Sequence, residues 1–252
     1  MSQNFGVSDT IYYTKIYDRI NQFVDDIDFY LKLCKEIEGS VLELCCGTGR
    51  ITLPLRKSGI DIMGLDFMPS MLKRAREKSQ EQGLDCNFLE GDMRNLELDQ
   101  KFDLIFIPFN SLLNTYTFDD INAIFSSVKK HLKPNGRFAF DIFNPNLNYL
   151  RRDEQMQEKL FEFTLDTGEH VMISQSMKYD RLHQVNRVKW HHNINGEEFV
   201  AQLDMRCFFP QEMDAILRYS NFNIVHKFGD FDRGEFIGDS EKQIYVCTVI
   251  DT

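Results

Sequence analysis

Between Ser40 and Ile142 five strands alternate with helices, and this pattern limits the fold more than any other feature of the chain. Ser40-Val-Leu-Glu-Leu-Cys-Cys reads as a short buried strand, ended by Gly47-Thr-Gly and followed by a helix over Ile51 to Lys57. Ile60 to Leu65 is a second strand, and a helix runs from about Pro69 to Gln82, with its proline tolerated in the first turn. Cys86 to Leu89 and Phe102 to Ile107 are the third and fourth strands; the fourth ends in continuous apolar residues, as a strand covered on both faces does. Thr117-Phe-Asp-Asp120 resembles a capping box, and the helix after it carries a stripe at Ile121, Ile124, Phe125, Val128 and Leu132. Lys133-Pro-Asn-Gly136 breaks that helix before the fifth strand, Arg137 to Ile142. Such alternation with short connections predicts an α/β fold: a doubly wound, Rossmann-like parallel sheet with helices on both faces.

The flanks differ. Tyr12, Ile16, Ile20, Phe23, Ile27, Leu31 and Cys34 have helical spacing, which predicts one amphipathic helix ahead of the sheet. After Leu150 the helical period disappears. Leu160 to Leu165, His170 to Tyr179, Val185 to Asn193 and Phe199 to Phe208 read as strands separated by turns, with Asn195-Gly196 the strongest hairpin signal. Residues 151–209 are therefore expected to be an antiparallel β meander inserted into a single domain spanning 1–252. A helix near Pro210 and strands over Asn223 to Phe228 and Gln243 to Ile250 complete the chain.

In an open parallel sheet, ligands bind beyond the carboxyl ends of the strands. Glu43-Leu-Cys-Cys-Gly-Thr-Gly49 lies at such an end, where glycine lets the backbone turn sharply and approach a ligand closely. Asp66 ends the second strand, and a carboxylate there can accept both hydroxyls of a ribose. Asp92 follows the third strand and can accept an exocyclic adenine amine, with Met93 as an apolar wall. Each acid alone reads as a solvated loop residue; three at successive strand ends, with the glycine turn among them, read as a nucleoside site. A dinucleotide fingerprint would need glycine or alanine three residues after Gly49, where Thr52 stands.

These segments resemble the class I S-adenosylmethionine-dependent methyltransferases. Val41 to Arg50 is similar to the family's first motif, Leu65-Asp-Phe-Met-Pro-Ser-Met-Leu72 to the next, and Glu90-Gly-Asp-Met-Arg94 to the third. Phe102 to Ser111 and Leu132-Lys-Pro-Asn-Gly-Arg-Phe138 resemble later ones; the first glycine of the family's first motif is Cys45 here. The resemblance implies a seven-stranded sheet whose last strand is antiparallel, with S-adenosylmethionine as cofactor. It puts Glu43, Cys45, Gly47, Thr48 and Gly49 around the methionyl part and Asp66 on the ribose. Phe67 or Met68 would flank the adenine, and Asp92 with Met93 would read its edge. Phe109 would lie near the sulfonium, and Tyr13 would cover the cofactor.

The combination of core and insert resembles small-molecule N-methyltransferases of the amino-sugar and glycine type, in which the meander lies over the active-site mouth. Asp141, Asn144 and Tyr179 are then the candidates for acceptor contact and catalysis, with His191 and His192 behind them; Trp190 reads as core or interface. The alternative function is a regulatory or scaffolding protein that binds S-adenosylmethionine without turnover and uses its meander as a dimer surface. A homodimer is allowed by the sequence and not specified by it.

Composition narrows the partners. The net charge is −10 over 252 residues, which gives no global attraction to nucleic acid or anionic membrane. The insert holds 8 basic and 10 acidic residues, so it is no polyanion-binding face, and a small neutral or cationic acceptor fits better. No apolar run approaches a membrane span, no secretory signal is visible, and the six cysteines have no zinc spacing. Buried free thiols, no metal and a cytoplasmic location are the expectations.

Overall fold

A computed structural model describes residues 6–151 and 157–250. Within them the elements are α1 (Thr14–Ile20), α2 (Asp25–Ile37), β1 (Ser40–Leu44), α3 (Thr52–Lys57), β2 (Asp61–Asp66), α4 (Pro69–Glu81), β3 (Asn87–Glu90) and β4 (Phe102–Ile107). They continue with α5 (Phe118–His131), β5 (Leu132–Phe143), α6 (Leu147–Leu150), β6 (Glu158–Thr164), β7 (His170–Asp180), β8 (Val185–Ile194), β9 (Glu197–Arg206), α7 (Pro210–Tyr219), β10 (Phe222–Phe228) and β11 (Lys242–Val249). The described residues form two compact units, one of 22–112, 117–144 and 209–250, the other of 6–21, 113–116, 145–151 and 157–208.

The larger unit is a seven-stranded sheet in the order β10-β11-β5-β4-β1-β2-β3. The strands β1 to β5 pair in parallel, and β11 is antiparallel to both β5 and β10. The expected fold class, with its antiparallel last strand, is what the chain adopts. The central strands are buried on both sides because both faces are covered. On one face Phe29, Tyr30 and Leu33 of α2 join Val41, Leu104, Phe106 and Ile244 in a single apolar cluster. Elsewhere in the unit Phe125 of α5 meets Phe138 at 5.7 Å and Phe222 at 5.5 Å, edge to face, a geometry that suits aromatic quadrupoles. Truncating such a buried ring to alanine costs about 3–5 kcal/mol. Thr117 caps α5 as its sequence predicts: Asp120 N donates to Thr117 Oγ1 at 3.1 Å.

The smaller unit is the four-stranded antiparallel sheet β6-β7-β8-β9. All four expected strand runs are present; residues 152–156 of the expected insert lie outside the described residues. The Asn195-Gly196 hairpin has φ of +51° and +89° at its two central residues, the pairing a right-twisted two-residue turn requires. One face gathers Val171 and Ile173 against Ile16 of α1, with Phe161, Phe163, Trp190 and Ile194 packed around them, so Trp190 joins a core.

The single helix expected over Tyr12 to Cys34 is two helices. Asn21 closes α1 by donating its side-chain amide to the Tyr17 carbonyl at 2.9 Å. A new helix then starts on Asp25, Asp26 and Asp28, acids that suit a helix N-terminus. Helical spacing continued through the break and concealed it.

Candidate active site

The carboxyl ends of β1, β2, β4 and β5 carry a set of buried charged groups within the larger unit. Glu43, in β1, is 1% exposed and accepts the Thr52 hydroxyl. Burial pushes its carboxyl up to about 8, against the opposing pull of Thr52 and Arg50, so it is largely neutral at pH 7. The chain then turns through residues of positive φ: Cys45 at +59°, Gly47 at +55° and Gly49 at +76°. Gly49 is also needed for packing, since a Cβ there would stand 3.2 Å from both Leu53 Cγ and Phe88 Cζ. Cys45 takes a conformation that only glycine adopts without cost. Its thiol is 3.5 Å from Met93 Sδ, and burial, followed by the nearby Asp66 carboxylate, pushes it far up, keeping it protonated. Thr48 is buried and accepts from Lys78 Nζ at 3.2 Å.

Asp66 ends β2 and is 7% exposed. Gly47 N donates to one oxygen at 2.8 Å and Met68 N to the other at 2.9 Å. Burial raises its carboxyl above the ordinary range despite those donors. Each oxygen retains a second lone pair, so the group can accept two hydroxyls offered by a ligand. Phe67 beside it is 58% exposed, a bare ring at the strand end. Asp92 is differently placed: Arg94 occupies both its oxygens, with Nη2 at 2.6 Å, and also reaches Asp120 at 3.1 Å. Arg94 lowers the Asp92 carboxyl, which is a surface ion pair before it is an acceptor for anything else.

Asp141 is wholly buried in β5 and has donors on both oxygens. Phe109 N at 2.9 Å and Tyr30 Oη at 3.0 Å reach Oδ1, and Lys242 Nζ reaches Oδ2 at 3.2 Å. Its place among the acceptor-contacting candidates is therefore not at an open surface; inside the fold it is a brace. Asn144 ties the start of β11, donating from Nδ2 to the Ser240 carbonyl at 2.9 Å and from its backbone N to the Glu241 carbonyl at 2.8 Å. Phe109 lies under the Arg50 guanidinium, 4.5 Å from the ring centroid.

The structure thus gathers Glu43, Cys45, Gly47, Thr48, Gly49, Asp66, Met68, Met93, Phe109 and Asp141 in one unit. Tyr13 and Tyr179 belong to the other, Tyr13 at the start of α1 and Tyr179 opposite Asn186 in the sheet. His191 accepts or donates at 2.9 Å with Ser176, and His192 is buried against Phe199. Sequence reasoning missed Asp26, Arg50 and Lys242. Arg50 is held by Asp26 through two contacts of 2.7 and 2.5 Å and donates to the Phe23 carbonyl at 2.7 Å. A signal existed: Asp26 precedes Phe29 and Tyr30 by three and four residues, so an acid stood on the buried face of a helix.

A cavity of about 750 Å³ adjoins this site, lined by the start of α2 and the 229–242 segment. Two of its lining residues touch the turn after β4. The Phe23 ring is 6.4 Å from Phe109, and Lys242 Nζ is 3.1 Å from Asn110 Oδ1. Seven carboxylates and two ammonium groups line it. Among the described residues no helix is long and apolar enough to cross a membrane.

Comparison with known proteins agrees with this geometry. Residues 41–136 match the family described as a methyltransferase domain. A Bacillus subtilis protein, YqeM, provisionally named as a methyltransferase, is 28% identical over 82% of this chain and 83% of its own. The demethylmenaquinone methyltransferase of Thermus thermophilus is 35% identical over 42% of this chain, and the chain spans only 47% of that enzyme. Among solved structures, the CcbJ methyltransferase of Streptomyces caelestis superimposes with a TM-score of 0.81 at 21% identity, covering 97% of this chain and 100% of that one. A methyltransferase from Clostridium acetobutylicum, described as S-adenosylmethionine-dependent, gives 0.78 at 22% identity, with 97% and 100% covered. The chain thus carries a methyltransferase domain match over 41–136 on the fold of the class I S-adenosylmethionine-dependent methyltransferases.

Proposed function

We propose that the chain methylates an amine on a small-molecule acceptor. The observation that carries this reading is the cavity beside the turn after β4. Asp25, Asp28, Asp232, Glu235, Asp239 and Glu241 line it, and among the described residues none of these side chains has an ion-pair partner. Phe23 and Phe231 add aromatic faces, to which a cation is attracted. A concave space of this size, acidic and aromatic together, favours a compact cationic guest over an anion. The amine, as distinct from the charge of the whole acceptor, is supported by the names of relatives: KedS8 of Streptoalloteichus is a sugar N-methyltransferase. A Streptomyces venezuelae relative is an N,N-dimethyltransferase of an amino-trideoxy-glucopyranose nucleotide, 32% identical over 38% of this chain and 39% of its own.

The cofactor assignments follow the residues. Asp66, with lone pairs to spare, would hold the ribose, and Phe67 or Met68 would flank the adenine. Glu43, Cys45, Gly47, Thr48 and Gly49 would surround the methionyl part. Met93 would wall the adenine edge, and Asp92 would read it from within its Arg94 pair. Asn144 would meet the acceptor. When bound, S-adenosylmethionine supplies a methyl group on a positively charged sulfur, ready for in-line displacement. The chain's own work is to align the acceptor nitrogen and to keep water out. A neutral amine attacks without a base; an ammonium must first lose a proton, which an unpaired carboxylate in the cavity can take. No observation favours binding without turnover.

The test removes charge from the cavity. In the Asp232→Asn, Glu235→Gln double variant, KM for glucosamine or putrescine should rise several-fold, with affinity for S-adenosylhomocysteine unchanged by calorimetry. An unchanged KM would remove the cavity from acceptor binding.

A further inference from the structure

The strand β4 ends in a turn of unusual backbone. Phe109 and Asn110 are consecutive non-glycine residues with φ of +57° and +60°. Asparagine tolerates the left-handed region, whereas a bulky side chain rarely does. Such a conformation persists only where its surroundings over-determine it, and here two braces do so.

The first brace grips the backbone. Asp141 accepts Phe109 N–H on its side chain at 2.9 Å, and its carbonyl accepts Asn110 N–H at 3.2 Å. Lys242 ties the same carboxylate to the Asn110 side chain, at 3.2 and 3.1 Å. The second brace grips the ring. Arg50 lies over Phe109, and the fully buried Asp26 fixes the guanidinium in a fork that lysine cannot copy. The two anions and two cations balance, which a buried ionic network needs in order to persist.

We propose that Asp141 and Arg50 are positioning residues for methyl transfer, holding the Phe109–Asn110 turn in one conformation at the edge of the acceptor cavity. This rests on the reading that the acceptor meets the methyl donor beyond the carboxyl end of β4. Neither residue needs to touch a reactant. Losing either brace lets the turn relax to several conformations and disperses the alignment of the reacting atoms, while the cofactor seat around Asp66 stays intact.

The experiment places 4-fluorophenylalanine at position 109 and compares wild type with Arg50→Met and Asp141→Asn. Fluorine NMR should show one narrow resonance in wild type and several or a broadened one in each variant. With glucosamine or putrescine as acceptor, kcat should fall in both by roughly ten- to 100-fold, the scale of a misplaced reacting group. KM and S-adenosylhomocysteine affinity should change far less. A single unchanged resonance in Arg50→Met and Asp141→Asn, or full kcat in both, overturns the proposal. A wild type that methylates no amine instead overturns the amine reading, and the fluorine spectra then still decide whether these residues hold the turn.

Discussion

The two sheets differ in how fully their buried polar groups are partnered. In the seven-stranded sheet every buried carboxylate at the strand ends has donors: Glu43 has Thr52, Asp66 has two backbone N–H groups, and Asp141 has three partners. In the four-stranded sheet Asn186 Oδ1, Asp204 Oδ1 and both ring nitrogens of His192 are buried with no hydrogen-bond partner among the described residues. An unpaired buried group costs about 1–3 kcal/mol, and a paired one costs that much when its partner is removed. The first sheet is therefore a prearranged cradle that substitutions at its polar groups should damage. At Asn186 and His192 the second should tolerate, or gain from, losing the polar group.

The largest effect is expected from Asp66→Ala. It should weaken S-adenosylmethionine binding by about 1.5–3 kcal/mol, the scale of hydrogen bonds to a charged group; calorimetry giving an unchanged affinity would show the ribose contact to be misplaced. A smaller effect appears as pH dependence at Glu43. Its carboxyl is raised in the fold to about 8, so the stability it contributes is full below the unfolded carboxylate range and is lost as pH rises toward 8. Urea midpoints of the cofactor-free protein should fall across that window in wild type and fall less in Glu43→Gln; parallel slopes would contradict the shift. The smallest effect is expected in the other sheet. His192 stacks on Phe199 at 4.5 Å, so His192→Phe should be neutral or stabilising by up to about 1 kcal/mol. Burial lowers the His192 imidazole, so wild type should also lose stability as pH falls through and below the ordinary histidine range, and the variant should not. A marked destabilisation of His192→Phe would show that the ring has a partner and that the sheets do not differ.

The same contrast explains what could be read in the sequence. Strand and helix order was legible because both periods are local, and the hairpin at Asn195-Gly196 because its two left-handed residues are adjacent in sequence. Glu43, Asp66 and Asp92 were legible as strand-end acids. What Asp92 and Asp141 bind was not, since Arg94, Tyr30 and Lys242 reach them through the fold. The break between α1 and α2 stayed hidden because Ile20 and Phe23 kept helical spacing across it. Asp26 was overlooked for the opposite reason: its meaning depends on Arg50, 24 positions away.

The proposed transfer of methyl to nitrogen at the strand-end cradle is decided by incubating the protein with methyl-labelled S-adenosylmethionine and either glucosamine or glucose. Label should enter glucosamine and remain on nitrogen, with glucose unlabelled. Equal labelling of both sugars, or label in glucose alone, would contradict it.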